Sequence, residues 1–114
     1  MQLDDMDMLA QDFCRRAQEY FGDKAADFII KEVLNAPGHM EFEINFSLYN
    51  YADISVSYEN GGIGGSIWLG KYPKGLSARA DYFRNVDFNR FFREIQEEVE
   101  LWIPDKYLKA KGWK

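Results

Sequence analysis

Residues 54–69, ISVSYENGGIGGSIWL, decide the fold. Ile54, Val56 and Tyr58 alternate with Ser55, Ser57 and Glu59; after Asn60-Gly61, Ile63, Gly65 and Ile67 alternate with Gly64, Ser66 and Trp68. A period of two marks a strand with one buried face. Asn-Gly supplies the two positive-φ residues that a type I′ hairpin turn requires. A two-residue turn at Asn60-Gly61 sets Tyr58 opposite Ile63, Val56 opposite Gly65 and Ile54 opposite Ile67, so both apolar sets share a face. A Gly61-Gly62 turn shifts the pairing by two and keeps the same faces.

The end of this stretch carries a near-match to a nucleotide-binding signature. Residues 65–72, GSIWLGKY, fit G-x-x-x-x-G-K-[ST] except that Tyr72 stands where the magnesium-binding hydroxyl belongs. A P-loop needs the residues between its glycines to form a loop whose amides converge on phosphate, followed by a helix. Here Ser66-Ile67-Trp68-Leu69 reads as strand and Tyr72-Pro73-Lys74-Gly75 as a turn, so the match is accidental. Gly61, Gly62, Gly64 and Gly65 also lack G-x-G-x-x-G spacing; they suit turn geometry and close packing across a sheet.

Upstream, Met40, Phe42, Ile44, Phe46 and Leu48 alternate with Glu41, Glu43, Asn45 and Ser47, a further half-buried strand. Downstream, Leu76, Ala78, Ala80 and Tyr82 are expected inward, with Ser77, Arg79, Asp81 and Phe83 outward. At the N-terminus, Met6, Leu9, Phe13, Ala17 and Tyr20 recur at helical spacing behind Asp4, Asp5 and Asp7, with Gly22 as the stop. Ala26, Phe28, Ile29, Ile30, Val33 and Leu34 suggest a second helix capped by Asp23 and ended by Pro37-Gly38. At the C-terminus, Asp87 is placed to cap a long helix, with Val86 and Phe91 as a hydrophobic staple. Phe88, Phe91, Phe92, Ile95, Val99, Trp102 and Ile103 form its stripe, Pro104 ends it, and Asp105 is expected to cap a short terminal turn. The expected class is α+β: two N-terminal helices, a four-stranded antiparallel meander and a long C-terminal helix, with the helices on one face of the sheet. The chain of 114 residues is read as one domain.

Composition limits the chemistry. Lys plus Arg number 14 against 19 Asp plus Glu, a net charge of −5, which disfavours direct nucleic-acid binding unless the cations share a face. The lysines at 106, 109, 111 and 114 suit the end of a short helix and solubility. No run is long and apolar enough to span a membrane, and the acidic start Met1-Gln2-Leu3-Asp4-Asp5 lacks signal-peptide character, so a cytoplasmic location is expected. His39 is the single histidine, which excludes His-based metal clusters, and the single Cys14 reads as a small buried apolar residue. No nucleophile motif occurs, and neither a cofactor nor a metal is expected. Glu94, Glu97 and Glu98 lie within one helical turn, where a solvated face paired with Arg90 and Arg93 is the simpler reading than a cation site.

What remains is surface chemistry. Trp68 is expected to point away from the helices, among serines and acids, unless the C-terminal Trp113 segment covers it. A large aromatic on a polar sheet face has the composition of an interface hot spot. The expectation is therefore a non-enzymatic acidic inhibitor that neutralises a basic partner protein. Toxin-immunity proteins and phage anti-defence proteins such as anti-CRISPRs have this general profile. Glu41, Glu43, Asp53, Glu94, Glu97 and Glu98 are the candidate steering acids and Trp68 the anchor. Two alternatives are a small-ligand domain or minor enzyme with an aromatic pocket between sheet and helices, and a subunit of a larger assembly.

Overall fold

The computed structural model describes residues 5–69, 71–81 and 87–113, with the side chains of 5, 35, 69 and 77–81 excepted. The expectations for Asp4, Tyr82, Phe83, Val86 and Lys114, and for the side chains of Ser77, Ala78, Arg79, Ala80 and Asp81, lie outside what is described. The fold is α+β. Helix α1 (Asp5–Phe21) and a single 3₁₀ turn (Gly22–Lys24) lead into strands β1 (Ala25–Ala36), β2 (His39–Leu48), β3 (Ala52–Glu59), β4 (Gly62–Leu69) and β5 (Tyr72–Asp81). Helices α2 (Phe88–Trp102) and α3 (Asp105–Ala110) follow. The strands form one antiparallel sheet in sequential order.

The hairpin read from Asn60-Gly61 is present: Tyr58 faces Ile63, Val56 faces Gly65 and Ile54 faces Ile67. Asn60 and Gly61 carry φ of 47° and 102°, as a type I′ turn demands. The chain after Lys71 is strand rather than helix, which removes the P-loop on structural grounds.

The sheet has five strands rather than four, because residues 25–36 form β1 where a second helix was expected. Two bulges explain the misreading. The β1–β2 register shifts between Ala26 and Ile29 and again between Lys31 and Leu34. Asp27 and Glu32, at these shifts, take left-handed φ of 59° and 54°. Each bulge inserts residues into the alternation. The inward positions become Phe28, Ile30 and Val33, a mixed spacing that resembles a helical stripe. Pro37-Gly38 is then a hairpin turn between Ala36 and His39, with Gly38 at φ 78°.

Residues 72–75 also differ from the expected turn, since they pair with Leu69, Trp68, Ile67 and Ser66 as the start of β5. Pro73 is tolerated because β5 is an edge strand. Asp87 caps α2 as expected, accepting from the Arg90 amide at 3.0 Å. Trp102 leaves the expected buried stripe: it is 40% exposed, with the Lys74 ammonium 4.5 Å from its ring centroid. The N-cap position of α3 is Pro104 rather than Asp105, which is the first helical residue.

The inner face of the sheet is covered by α1 and α2. Phe13 packs edge-on against Phe91 and Phe92, Phe21 and Phe28 lie on Phe46, and Phe42 stacks on Tyr58. Tyr49 ties the layers together. Its hydroxyl donates to the Glu100 carboxylate and accepts from Gln96 Nε2 at 3.1 Å, while Tyr20 donates to Gln96 Oε1 at 3.1 Å. Tyr107 of α3 donates to the Tyr49 carbonyl at 2.9 Å, holding the left-handed pair Tyr49-Asn50 between β2 and β3. Burial first, then the Glu100 carboxylate, pushes the Tyr49 phenol well above its ordinary range, with the Gln96 amide opposing.

Two outcomes are expected. Gly61→Ala places a side chain at φ 102° and lowers stability by about 1–2 kcal/mol. Gly65→Ala, whose methyl would sit 3.5 Å from Ile95 and Leu76, is neutral or raises it by about 1 kcal/mol; thermal unfolding of the two variants checks the contrast. Because the Tyr49 pKa is raised in the folded state, its contribution is complete below the unfolded tyrosine value of about 10 and is lost as pH rises beyond it. Urea titrations between pH 8 and 11 read this on the order of one tyrosine's linkage, and Tyr49→Phe flattens the decline.

Candidate functional site

The outer face of the sheet carries the surface of interest. Strand alternation, confirmed by the register, sets Glu41, Glu43, Asn45 and Ser47 of β2 beside Glu59, Ser57, Ser55 and Asp53 of β3. Gly62, Gly64, Ser66 and Trp68 of β4 follow in the same rows. None of these side chains belongs to the apolar core beneath, and the middle of the face is a shelf of serine, glycine and asparagine. Trp68 rises at one end of it and is 39% exposed. The alternative in which the C-terminal segment covers Trp68 is replaced by a different contact: Trp113 lies edge-on to Tyr49 at 5.7 Å.

A chain of hydrogen bonds fixes this face. The Trp68 indole Nε1 donates to Ser55 Oγ at 2.8 Å, and Asn45 Nδ2 donates both to Ser55 Oγ at 3.3 Å and to Glu43 Oε2 at 2.8 Å. Ser55 is only 7% exposed, so its hydroxyl is a buried acceptor shared by β2 and β4. The indole is thus held in one orientation while part of the ring stays in solvent.

Beside Trp68 the face sinks into a hollow of about 340 Å³, bounded by Asp27, Ile29 and Lys31 of β1 and floored by Asn45, Ser47 and Asp53. The β1 residues were missing from the sequence reading because that segment was read as a helix. Ile29 is 55% exposed and Leu34 49%, both projecting on this side opposite Asn45 and Glu41. The signal that could have found them is the pair of β-branched residues Ile29-Ile30 followed by Pro37-Gly38, a strand-and-hairpin pattern.

The expected acidic set divides between two surfaces. Glu41, Glu43, Asp53 and Trp68 share the outer sheet face. Glu94, Glu97 and Glu98 lie on α2, on the helical layer, and line a separate cleft of about 860 Å³ with Glu100, Leu101, Ile103 and Asp105. Arg90 pairs with Glu94 at 3.8 Å, as the solvated-face reading expects.

Burial pushes the Cys14 thiol up, away from a reactive thiolate. His39 is exposed at the first position of β2, opposite Ala36. Among the described residues no group of three or more His, Cys, Asp or Glu side chains converges as a metal site. In the interlayer space, the rings of Phe13 and Phe21 both pack on Phe92, and Phe21 also on Phe46. Among the described residues no helix is long and apolar enough to cross a membrane. No protein-family model, curated protein or solved structure matches the chain.

Ser55→Ala removes the acceptor that orients the indole. The expected result is an unchanged fold, a loss of about 1 kcal/mol, and faster local motion of the Trp68 side chain read by indole N–H relaxation.

Proposed function

We propose that the chain is a non-enzymatic inhibitor that binds a basic partner protein through the outer face of its sheet. The observation that carries this reading is Trp68, held by Ser55 and 39% exposed on a polar face that none of the chain's described helices packs against. An aromatic ring with one fixed rotamer and a surround of small polar groups is suited to anchor a partner at low entropic cost.

Charge supports a basic partner. Glu41 and Glu59 are directly opposed across β2 and β3, and like charges in that position are unfavourable. A cation arriving from outside relieves that repulsion. The net charge of −5 draws a basic protein in, and the α2 carboxylates add to the field without touching the docked face. A nuclease toxin or a nucleic-acid-processing defence enzyme has the basic working surface that such a face would cover.

The test is affinity capture with the wild type and Trp68→Ala, followed by reconstitution. A stoichiometric basic protein is expected whose activity is blocked by the wild type, with affinity reduced at least tenfold by Trp68→Ala, about the 1.4 kcal/mol step. Glu94→Lys with Glu97→Lys should slow association at low salt and leave dissociation unchanged, by stopped-flow fluorescence. Inhibition that survives Trp68→Ala at full strength removes the assignment.

A further inference from the structure

Building on that reading, we infer that the hollow between Ile29 and Trp68 receives one arginine side chain of the partner. The hollow holds about 340 Å³, near the lower limit of roughly 300 Å³ for ligand sites, room for a single long side chain rather than an extended molecule. Its walls are unlike: aliphatic Ile29 on one side and the indole of Trp68 on the other. Asp27 and Asp53 supply two carboxylates against the single ammonium of Lys31, so the hollow is net negative. Among the described residues neither Asp27 nor Asp53 makes a side-chain hydrogen bond or an ion pair, so both remain available to a cation.

The backbone is shaped toward this arrangement. Asp27 reaches the rim because it occupies the first β1 bulge at φ 59°, a conformation that regular pairing would not produce. Bulges re-aim side chains in this way. The opposite wall is fixed by the Trp68–Ser55–Asn45–Glu43 hydrogen-bond chain, so the indole does not have to be ordered on binding.

Chemistry selects among occupants. A guanidinium stacks on an indole face and presents five N–H donors in a planar fork, which can serve two carboxylates at once. An ammonium is a hydrated point charge that gains less from the aromatic wall. A second copy of this chain would bring Glu41, Glu43, Asp53 and Glu59 against their own kind. A strand added along an edge is disfavoured as well, since β1 has two bulges and β5 carries Pro73 and its own register shift. The occupant therefore enters onto the face as a side chain.

The experiment titrates capped Gly-Arg-Gly into the ¹⁵N-labelled full chain and follows the Trp68 indole N–H, assigned with Trp68→Phe. Capped Gly-Lys-Gly and Gly-citrulline-Gly serve as controls. The expected result is a saturable shift with arginine, at least threefold weaker binding for lysine, none for citrulline, and at least fivefold weakening in Asp53→Asn and in Asp27→Asn, each verified as folded by circular dichroism. Equal response to lysine, a shift confined to Trp102 or Trp113, or indifference to both aspartate variants overturns the inference. Concentration-dependent dimers by light scattering that bury Trp68 overturn it too. If a basic partner depends on Trp68 yet no arginine of it couples to Asp53 in a double-mutant cycle, the inference fails and the inhibitor reading stands. If the peptide binds as described but no inhibited basic partner exists, the hollow stands and the inhibitor reading fails.

Discussion

The register set at Asn60-Gly61 is the constraint on which the remaining structure depends. Strand side chains repeat every two residues, so a slip of one would carry Ile54, Val56, Tyr58, Ile63 and Ile67 out to water and Ser55, Ser57 and Ser66 into the core. With the register fixed, the sheet has an apolar side that must be covered and a polar side that need not be. Helices α1 and α2 take the first, and their aromatic rings fill the space above Phe42, Ile44 and Phe46. The second is left to carry Trp68. Geometry at one two-residue turn thus determines both where the core lies and which surface is free.

The polar network at Tyr49 has a different job from the core. Tyr49 and Asn50 hold consecutive left-handed conformations, φ 60° and 52°, in the connection between β2 and β3. Such residues persist only where surrounding structure over-determines them. Here Tyr107 donates to both the Tyr49 and Asn50 carbonyls at 2.9 and 3.3 Å, while Glu100 and Gln96 of α2 bond the Tyr49 phenol and Tyr20 of α1 donates to Gln96. One turn is therefore bonded directly by α2 and α3, and by α1 through Gln96. The two strands that this turn joins also carry Asn45, Ser47 and Asp53 of the floor of the outer hollow.

How much of this was legible in the sequence follows from which segments keep an undisturbed period. β2, β3 and β4 alternate without interruption, so their faces and the outward placement of Glu41, Glu43 and Trp68 could be read directly, while the choice between a turn at Asn60-Gly61 and one at Gly61-Gly62 was left to the structure. β1 could not, because Asp27 and Glu32 at its two bulges convert a spacing of two into one that imitates a helix. The strand start at Tyr72-Pro73 was hidden for a related reason, since proline is compatible with a strand only at an edge and edge status is a property of the finished sheet. The acids of α2 illustrate a third limit. Their helical face was plain from spacing, but which layer that face belongs to depends on the path of the chain between elements. Trp102 leaves its stripe, and the Lys74 ammonium over its ring is a neighbour that only the position of β5 reveals.

The division of acids between two layers bears on how binding energy would be distributed. The α2 carboxylates lie across the thickness of the sheet from the outer face, and the Debye length at physiological ionic strength is about 8 Å. Carboxylates on α2 are therefore largely screened from a protein seated on the far side of the sheet, and their influence is confined to approach. Attraction that persists in the complex must come from groups that the interface itself dehydrates, where screening by salt no longer applies. On the outer face these are Glu41, Glu43, Glu59, Asp27 and Asp53, set around small side chains that allow close approach. A dehydrated carboxylate is costly unless a cation meets it with good geometry, so these acids favour a partner with matching cations and penalise one without them. In the proposed complex Trp68 would add affinity for either kind of partner by burying its exposed ring, and discrimination between them would fall to the acids around it.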